Sequence, residues 1–361
     1  MTKKRLLVVH PSDEMYGADK VLLEFLSAVP DGWDVNVWLP TDIDYPLKEL
    51  SSKILEMGYP VSHVALPVLR RSYLTPSAVP ALVGRFIRTG FRLLCLRPSI
   101  VYVSTSAVAP VLPLAKIIGA KPILHLHEYI DAVTARYLLP FIAFARKIVC
   151  VSEAIREPLP ARLLTKTDVI LNGFEFDDPT PLNQSDQIVC LVASRWNSWK
   201  GHEVLLEAWD QLTRDDLAIV ILGNAPVNGE ATDVLALVAK LKRRESVTVV
   251  GQTSDVRKYL DAAHLVLVPS IKPDPLPTIA IEALAAGRPI MGSDSGGLPE
   301  IIGREAGYLV ETGSVEAWKS ALAALTRDDI ADRALNAYPR FEKKFGVRRF
   351  HDEIREAVWK T

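Results

Sequence analysis

The stretch DDPTPLNQSD, Asp177 to Asp186, decides how many cores this 361-residue chain builds. It holds two prolines and one strongly apolar residue, Leu182. Proline fixes φ and donates no backbone hydrogen bond, so the stretch extends neither strand nor helix. We read it as the body of a linker spanning 174–186. Upstream, short apolar runs alternate with amphipathic stretches: RLLVVH (5–10), DVNVWLP (34–40), VSHVAL (61–66), IVYVST (100–105), PILHLH (122–127), KIVCVS (147–152) and DVILN (168–172). The alternation restarts with QIVCLVA (187–193), LAIVILG (217–223), VTVVG (247–251), HLVLVPS (264–270), RPIMGS (288–293) and AGYLVE (306–311). Continuously apolar strands separated by helices indicate parallel sheets covered on both faces. The expected fold is therefore α/β: two Rossmann-like domains, 1–173 and 187–340, facing each other across a cleft. A C-terminal helix over 341–361 is expected to pack back toward the first domain. Ligands of such sheets bind beyond the carboxyl ends of the strands.

Composition narrows the class. The formal net charge is −1, so bulk charge gives no reason to expect a nucleic-acid partner. Cys95, Cys150 and Cys190 are scattered, and the last two sit in apolar runs; neither a disulfide framework nor a zinc site is expected, which fits a cytoplasmic location. The apolar part of MTKKRLLVVH is too short for a signal peptide, and no run reaches the roughly 20 apolar residues of a spanning helix.

KPDPLPTIAIEALAAGRPI, 272–290, carries the most chemistry. LVLVPS before it reads as a buried strand. The helix is expected to start near Leu276, with Pro277 in its first turn, and to stop at Gly287. Asp274 then lies in the loop at the helix N-terminus, with Glu282 about 12 Å along at 1.5 Å per residue. That span is too long for a glycosidase acid/base pair, which needs roughly 5–9.5 Å. It suits the two ends of a sugar nucleotide, with the diphosphate near the helix N-terminus. SRWNSWKGHEVLLEAW places Arg195 and Lys200 in a loop leading into a helix, where cations can neutralise a departing diphosphate. SDSGGLPEII places Gly296 and Gly297 between strand and helix, where glycine lets backbone approach phosphate closely.

With these residues in hand, the chain resembles glycosyltransferase family 4, retaining enzymes of the GT-B fold, over essentially its whole length. Asp274 to Glu282 followed by EALAAGRPI looks like the family's acid-x7-acid signature. Arg195, Lys200 and Gly201 look like its Arg and Lys-Gly pair. GGLPEII looks like its glycine-rich loop, with Glu300 in the acidic position. VILNGFE resembles the joint between domains, matching Asn172 and Gly173. YGADKVLLEFL looks like the GGAE loop and helix, and HLHE like the place of the active-site histidine. The resemblance implies a nucleotide-sugar donor held by the C-terminal domain, an acceptor held by the N-terminal one, and no obligatory metal or other cofactor. Two departures stand out: Asp274 replaces the usual Glu and is one methylene shorter, and Tyr16 replaces the first glycine beside Gly17.

The roles expected from this pattern are specific. Arg195 and Lys200 stabilise charge on the leaving diphosphate, Asp274 orients the donor sugar, Glu282 holds the ribose, and Gly17 gives backbone room. His127 ends an apolar strand and points toward the cleft; His125 shares its face but lies further from the carboxyl end. Trp196 and Trp199 read as loop packing. From Met57 to His127 there is no acid, and Arg85, Arg88, Arg92 and Arg97 accompany apolar Phe86, Ile87, Leu93 and Leu94. A basic amphipathic helix of this kind can lie on an anionic membrane and meet a lipid-linked acceptor, or it can simply cover the sheet. Competing readings are a nucleotide-sugar epimerase, a non-catalytic sugar-nucleotide sensor, and a metal-dependent enzyme using Asp42-Ile43-Asp44 as a DxD.

Overall fold

A computed structural model describes residues 4–15, 17–70, 73, 75–226 and 230–360. Tyr16 and Arg71, singled out above or lying in the basic stretch, fall outside the described residues. The chain divides into two compact units, Met1–Phe174 with Val347–Thr361, and Glu175–Gly346.

Among the described residues the N-terminal sheet has seven strands, in the order β3-β2-β1-β4-β5-β6-β7. They are β1 Arg5–Val9, β2 Asp34–Pro40, β3 Val61–Val64, β4 Ile100–Val103, β5 Lys121–Leu126, β6 Lys147–Cys150 and β7 Thr167–Val169. All neighbours pair in parallel, with Val8 of β1 opposite Val37 of β2 and Tyr102 of β4. The order reverses between β1 and β4, which opens a switch point at their carboxyl ends. The sheet is apolar on both faces: Leu6, Leu7, Val8 and Val9 are all 0% exposed. The helix Val347–Trp359 belongs to this unit. Phe25 stacks on Trp359 at 5.7 Å between ring centroids, and Arg355 Nε donates to the Ala28 carbonyl at 2.9 Å.

The C-terminal sheet repeats the scheme with six strands among the described residues, in the order β10-β9-β8-β11-β12-β13. These are β8 Ile188–Ala193, β9 Leu217–Leu222, β10 Val247–Gly251, β11 Leu265–Val268, β12 Ile290–Ser293 and β13 Gly307–Val310. Its switch point lies between β8 and β11. Trp209 and Trp318, 1% and 0% exposed, fill the core on one face.

Three boundaries differ from those read in the sequence. The segment read as a linker from 174 to 186 packs into the C-terminal unit from Glu175 onward. Arg288, fully buried, draws it in by donating to the Thr180 carbonyl at 2.8 Å, Thr180 Oγ1 at 2.7 Å and the Pro181 carbonyl at 3.2 Å. Arg257 binds the Asp177 and Asp178 carbonyls in the same way. A polar, proline-rich segment supplies carbonyls that a buried guanidinium needs. At the other end, the helix expected to start at 341 begins at Val347, because Arg327–Phe345 forms one helix that ends at Gly346. Finally, the helix after β11 begins at Thr278. Pro277 is its extended N-cap residue at ψ 117°, so the rise-per-residue distance from Asp274 to Glu282 does not apply.

Candidate active site

The loops after β8, β11 and β12 converge at the C-terminal switch point. The β8 loop folds into a single 3-10 turn, Ser198–Lys200, closed by Gly201 at φ 76°. A Cβ on Gly201 would stand 1.9 Å from the Pro269 carbonyl oxygen, so only glycine lets this loop lie against the one after β11. The Ile271 N–H donating to the Trp199 carbonyl at 2.9 Å stitches the two loops together. Lys200 then reaches Asp274, Nζ to Oδ2 at 2.5 Å, with its ammonium also 4.2 Å from the centroid of the Trp199 ring. Asp274 is 8% exposed, so the ion pair sits in a partly dry environment that strengthens it.

Gly296 and Gly297 lie against the loop that carries Asp274. A Cβ on Gly296 would fall 2.3 Å from the Asp274 carbonyl oxygen, and one on Gly297 2.2 Å from that of Pro275. The Gly297 N–H donates to the Asp274 carbonyl at 2.8 Å. These glycines bring protein backbone against protein backbone and hold the acid's loop, with the Gly297 amide bonded to it. Glu300 lies in the first turn of the next helix, Leu298–Ile302. Ser270, just beyond β11, and Ser293, the last residue of β12, bury hydroxyls that have no hydrogen-bond partner among the described residues.

Glu282 shares a half-buried face of the helix Thr278–Ala285 with Thr278 and Ile279, while Ala280, Ile281, Ala283 and Leu284 face the core. Arg195 is exposed in the β8 loop. Lys200 and Asp274, expected at the middle and one end of a ligand, are direct partners. Trp196, read as loop packing, is buried at 8% exposure and packs into the core. His202, not singled out in the sequence, follows Gly201 at 1% exposure. Burial, then the nearby Lys200 charge, pushes its imidazole down to about 4, so it is neutral.

The N-terminal switch point gathers a second group. His127 follows β5 and is half-buried; His125, 1% exposed, is 4.1 Å from it between ring centroids and bonds the Tyr102 hydroxyl at 2.5 Å. Burial, then repulsion from His10, holds His127 down to about 3. Glu128 accepts from the Ser106 hydroxyl at 3.0 Å, and burial raises its carboxyl above the usual range. Gly17 opens the helix Gly17–Ser27 at this edge. His10 and Asp19 were missed as site residues: the run RLLVVH was read as strand through His10, but the strand stops at Val9 and His10 starts the loop. A polar residue ending an apolar strand was the available signal. Asn172, 4% exposed, lies near the end of this unit's first segment, and its side-chain oxygen has no partner among the described residues.

The Asp42-Ile43-Asp44 reading does not survive. Asp42 accepts from Arg70 at 2.7 and 3.1 Å. Burial works to raise its pKa, but the Arg70 bonds outweigh that and hold the carboxyl below its usual range. Both oxygens are committed to a guanidinium.

Two parallel sheets of this order, each with loops converging at its switch point, are the GT-B fold, and solved structures agree along the full chain. HepE of Anabaena, in complex with UDP, superposes with a TM-score of 0.81 at 20% identity, covering 99% of this chain and 100% of that one. The lipopolysaccharide outer core galactosyltransferase WaaB gives 0.78 at 16% identity, with 99% of both chains covered. Residues 174–340 match the family described as Glycosyl transferases group 1, which gives the C-terminal unit a domain of that class. Curated relatives include a D-inositol 3-phosphate glycosyltransferase of Segniliparus rotundus, 30% identical over 150 residues, 40% of this chain and 33% of the relative. Another is the lipopolysaccharide 1,2-N-acetylglucosaminetransferase of Salmonella typhimurium, 29% identical over 185 residues, 47% of this chain and 49% of the relative. The matched stretches thus span about a third to a half of these relatives' length.

Proposed function

We propose that the protein is a retaining glycosyltransferase. It moves a hexose from a nucleotide-sugar donor to a hydroxyl of a glycan or lipid-linked acceptor, in cell-surface polysaccharide or glycolipid assembly. One observation carries this reading: Lys200 bonded to Asp274 at 2.5 Å, in loops locked together by glycines at the carboxyl ends of β8, β11 and β12. A fixed cation beside a fixed carboxylate can take a diphosphate and the hydroxyls of its sugar together. In the transfer, Lys200 and Arg195 stabilise charge growing on the leaving diphosphate, Asp274 orients the sugar and Glu282 holds the ribose. No step is given to a metal ion. The C-terminal unit binds the donor, and the N-terminal unit, with His127, serves the acceptor side. HepE, which shares the fold, has been crystallised with UDP-glucose, which favours a uridine diphosphate sugar as the first donor to try.

Release of nucleoside diphosphate from UDP-, GDP-, dTDP- and ADP-sugars, measured with and without a hydroxyl acceptor, tests the reading. Acceptor-dependent release supports it. Conversion of the sugar without acceptor identifies an epimerase, and binding without turnover a sensor.

We also place the acceptor at an anionic membrane, with the protein peripheral on its cytoplasmic face. The helix Val79–Leu96 leaves Val79, Val83, Ile87, Phe91 and Leu94 between 50% and 66% exposed, at three- and four-residue steps that share one face. This face differs from the one read in the sequence: Leu93 is fully buried, and Arg85 turns to Asp42 at 3.9 Å and to the Tyr73 ring. Arg88 and Arg92 remain exposed beside the stripe, and a cavity of about 500 Å³ opens next to Phe91, lined by Trp38, Arg92 and Leu96. Among the described residues no helix is long and apolar enough to cross a bilayer, so contact would be with the surface. The protein is expected to pellet with phosphatidylglycerol vesicles but not phosphatidylcholine vesicles. Binding should weaken with salt, and Ile87→Asp with Phe91→Asp should lower it about tenfold or more. Equal absence of pelleting from both vesicle types contradicts this placement.

A further inference from the structure

The loops after β1 and β2, with His63 of β3, enclose a pocket of about 210 Å³ in the N-terminal unit that no role above uses. Asp13, 2% exposed, is the most buried polar residue lining it. One of its carboxylate oxygens accepts from the Ser51 N–H at 2.7 Å; the other accepts from the Ser51 hydroxyl at 2.8 Å and from His63 Nε2 at 2.9 Å. Asp13 thereby caps the helix Glu49–Glu56 from another loop, since Lys48, the residue before that helix, makes no side-chain cap. Lys48 stands at φ 46° and ψ 44°, a left-handed conformation that costs an L side chain free energy. Its carbonyl holds it there, accepting from the Ser52 N–H at 3.1 Å and the Ser52 hydroxyl at 2.9 Å. The strained turn brings the Lys48 side chain to the pocket.

We propose that this pocket is a saccharide subsite: it holds one pyranose ring of a glycan acceptor, set back from the ring that carries the attacking hydroxyl. The proposal rests on the reading of the protein as a glycosyltransferase whose N-terminal unit serves the acceptor. The groups around the pocket fit a neutral polyol. The side chains of Lys48, Asp44 and Thr41 make no hydrogen bond to another described residue, so they supply a donor, an acceptor and a hydroxyl that does both. His63 gives its Nε2 proton to a carboxylate that can only accept, which leaves Nδ1 for a ligand. Pro40, the 41% exposed Ile43 and the Tyr45 ring add apolar wall for the C–H edges of a sugar, and Arg70 fixes Tyr45 by donating to its hydroxyl at 3.1 Å.

Charge and size narrow the ligand further. The carboxylates of Asp13 and Asp44 oppose a phosphate or another anion at the same place. Pockets that enclose a whole drug-sized ligand run to roughly 300–1,000 Å³, so this smaller one takes a single ring of a longer molecule. Its position agrees. In the sheet order, β2 stands three strands from β5, which carries His127 at its end. At roughly 4.8 Å per strand the two places are about 14 Å apart, further than one sugar ring spans. An acceptor reaching both is an oligosaccharide.

The test is NMR of the full chain labelled with nitrogen-15 at histidine, titrated to high millimolar concentration with trisaccharides of glucose, galactose, mannose and N-acetylglucosamine, and separately with inorganic phosphate. At least one trisaccharide should shift the His63 ring signals saturably; their loss in His63→Gln assigns them. Lys48→Ala and Asp44→Ala, both at exposed positions, should each weaken that binding about tenfold or more, the share of one hydrogen bond to a charged group. Melting curves establish that both variants are folded. No shift of His63 with any of the four trisaccharides, a stronger response to phosphate than to every sugar, or native affinity in the folded variants overturns the proposal. The readout needs neither nucleotide nor turnover. A protein that transfers sugar but binds none beside His63 refutes the subsite alone, and one that binds there without transfer refutes the transfer reading alone.

Discussion

Lys200→Ala lowers the rate of nucleoside diphosphate release by about 10²–10³-fold while the protein keeps its fold. The size follows from what the ammonium does. It is the charge closest to Asp274, at 2.5 Å, and it is fixed by Trp199 and by the Gly201 turn before any ligand arrives. A donor fixed in advance, where charge develops in the transition state, is worth about 3–4 kcal/mol, which is that range of rate. Lys200→Arg keeps the charge but exchanges a compact ammonium for a planar fork, so it should recover only part of the loss. Initial rates over donor concentration separate the contributions: a fall in kcat marks charge stabilisation, and a rise in KM alone marks ground-state binding. Circular dichroism and a melting curve establish that the variant is folded. Native turnover in a folded Lys200→Ala protein would remove Lys200 from the mechanism.

Gly201→Ala should do nearly as much damage without touching a charge. The residue sits at φ 76°, a conformation that costs an L side chain roughly 1–2 kcal/mol. The added methyl would also meet the Pro269 carbonyl oxygen at 1.9 Å, an atom of the backbone that has no rotamer to retreat into. The two loops must part, and Lys200 moves with them. Displacing a catalytic group by about 1 Å costs on the order of 10² in rate. Both the melting temperature and kcat should therefore fall, whereas Lys200→Ala should change chiefly the rate. Gly296→Ala should behave similarly, since its methyl would press on the backbone of Asp274. A Gly201→Ala protein that melts and turns over like the native one would show that the packing of these loops does not set the site.

Much of the architecture could be read from the order of apolar runs, because parallel strands buried on both faces leave unbroken apolar signatures such as RLLVV, IVCLVA and LVLV. The loops that end them were legible as well, and Lys200, Asp274, Gly296 and Gly297 do meet at one switch point. What could not be read was who touches whom. Lys200 and Asp274 are 74 residues apart, and their direct bond depends on the Gly201 turn and the register of β8 against β11. That Gly296 and Gly297 also hold the acid's backbone was not legible, since a missing Cβ leaves room for whichever neighbour the fold supplies. The packing of the linker was hidden for a related reason: its carbonyls satisfy Arg288, and composition does not reveal an acceptor role. His10 and Asp19 stayed hidden because the partner that fixes the ring, Ser104, lies just beyond β4, 94 residues away.

The most direct measurement is a crystal structure of the protein soaked with a nucleotide-sugar donor that its turnover has identified. The account predicts the diphosphate against Lys200, the sugar hydroxyls on Asp274 and the ribose on Glu282, at the carboxyl ends of β8 and β11. Donor density at any other place on the C-terminal unit, or a diphosphate that leaves Lys200 and Asp274 without a ligand contact, would contradict it.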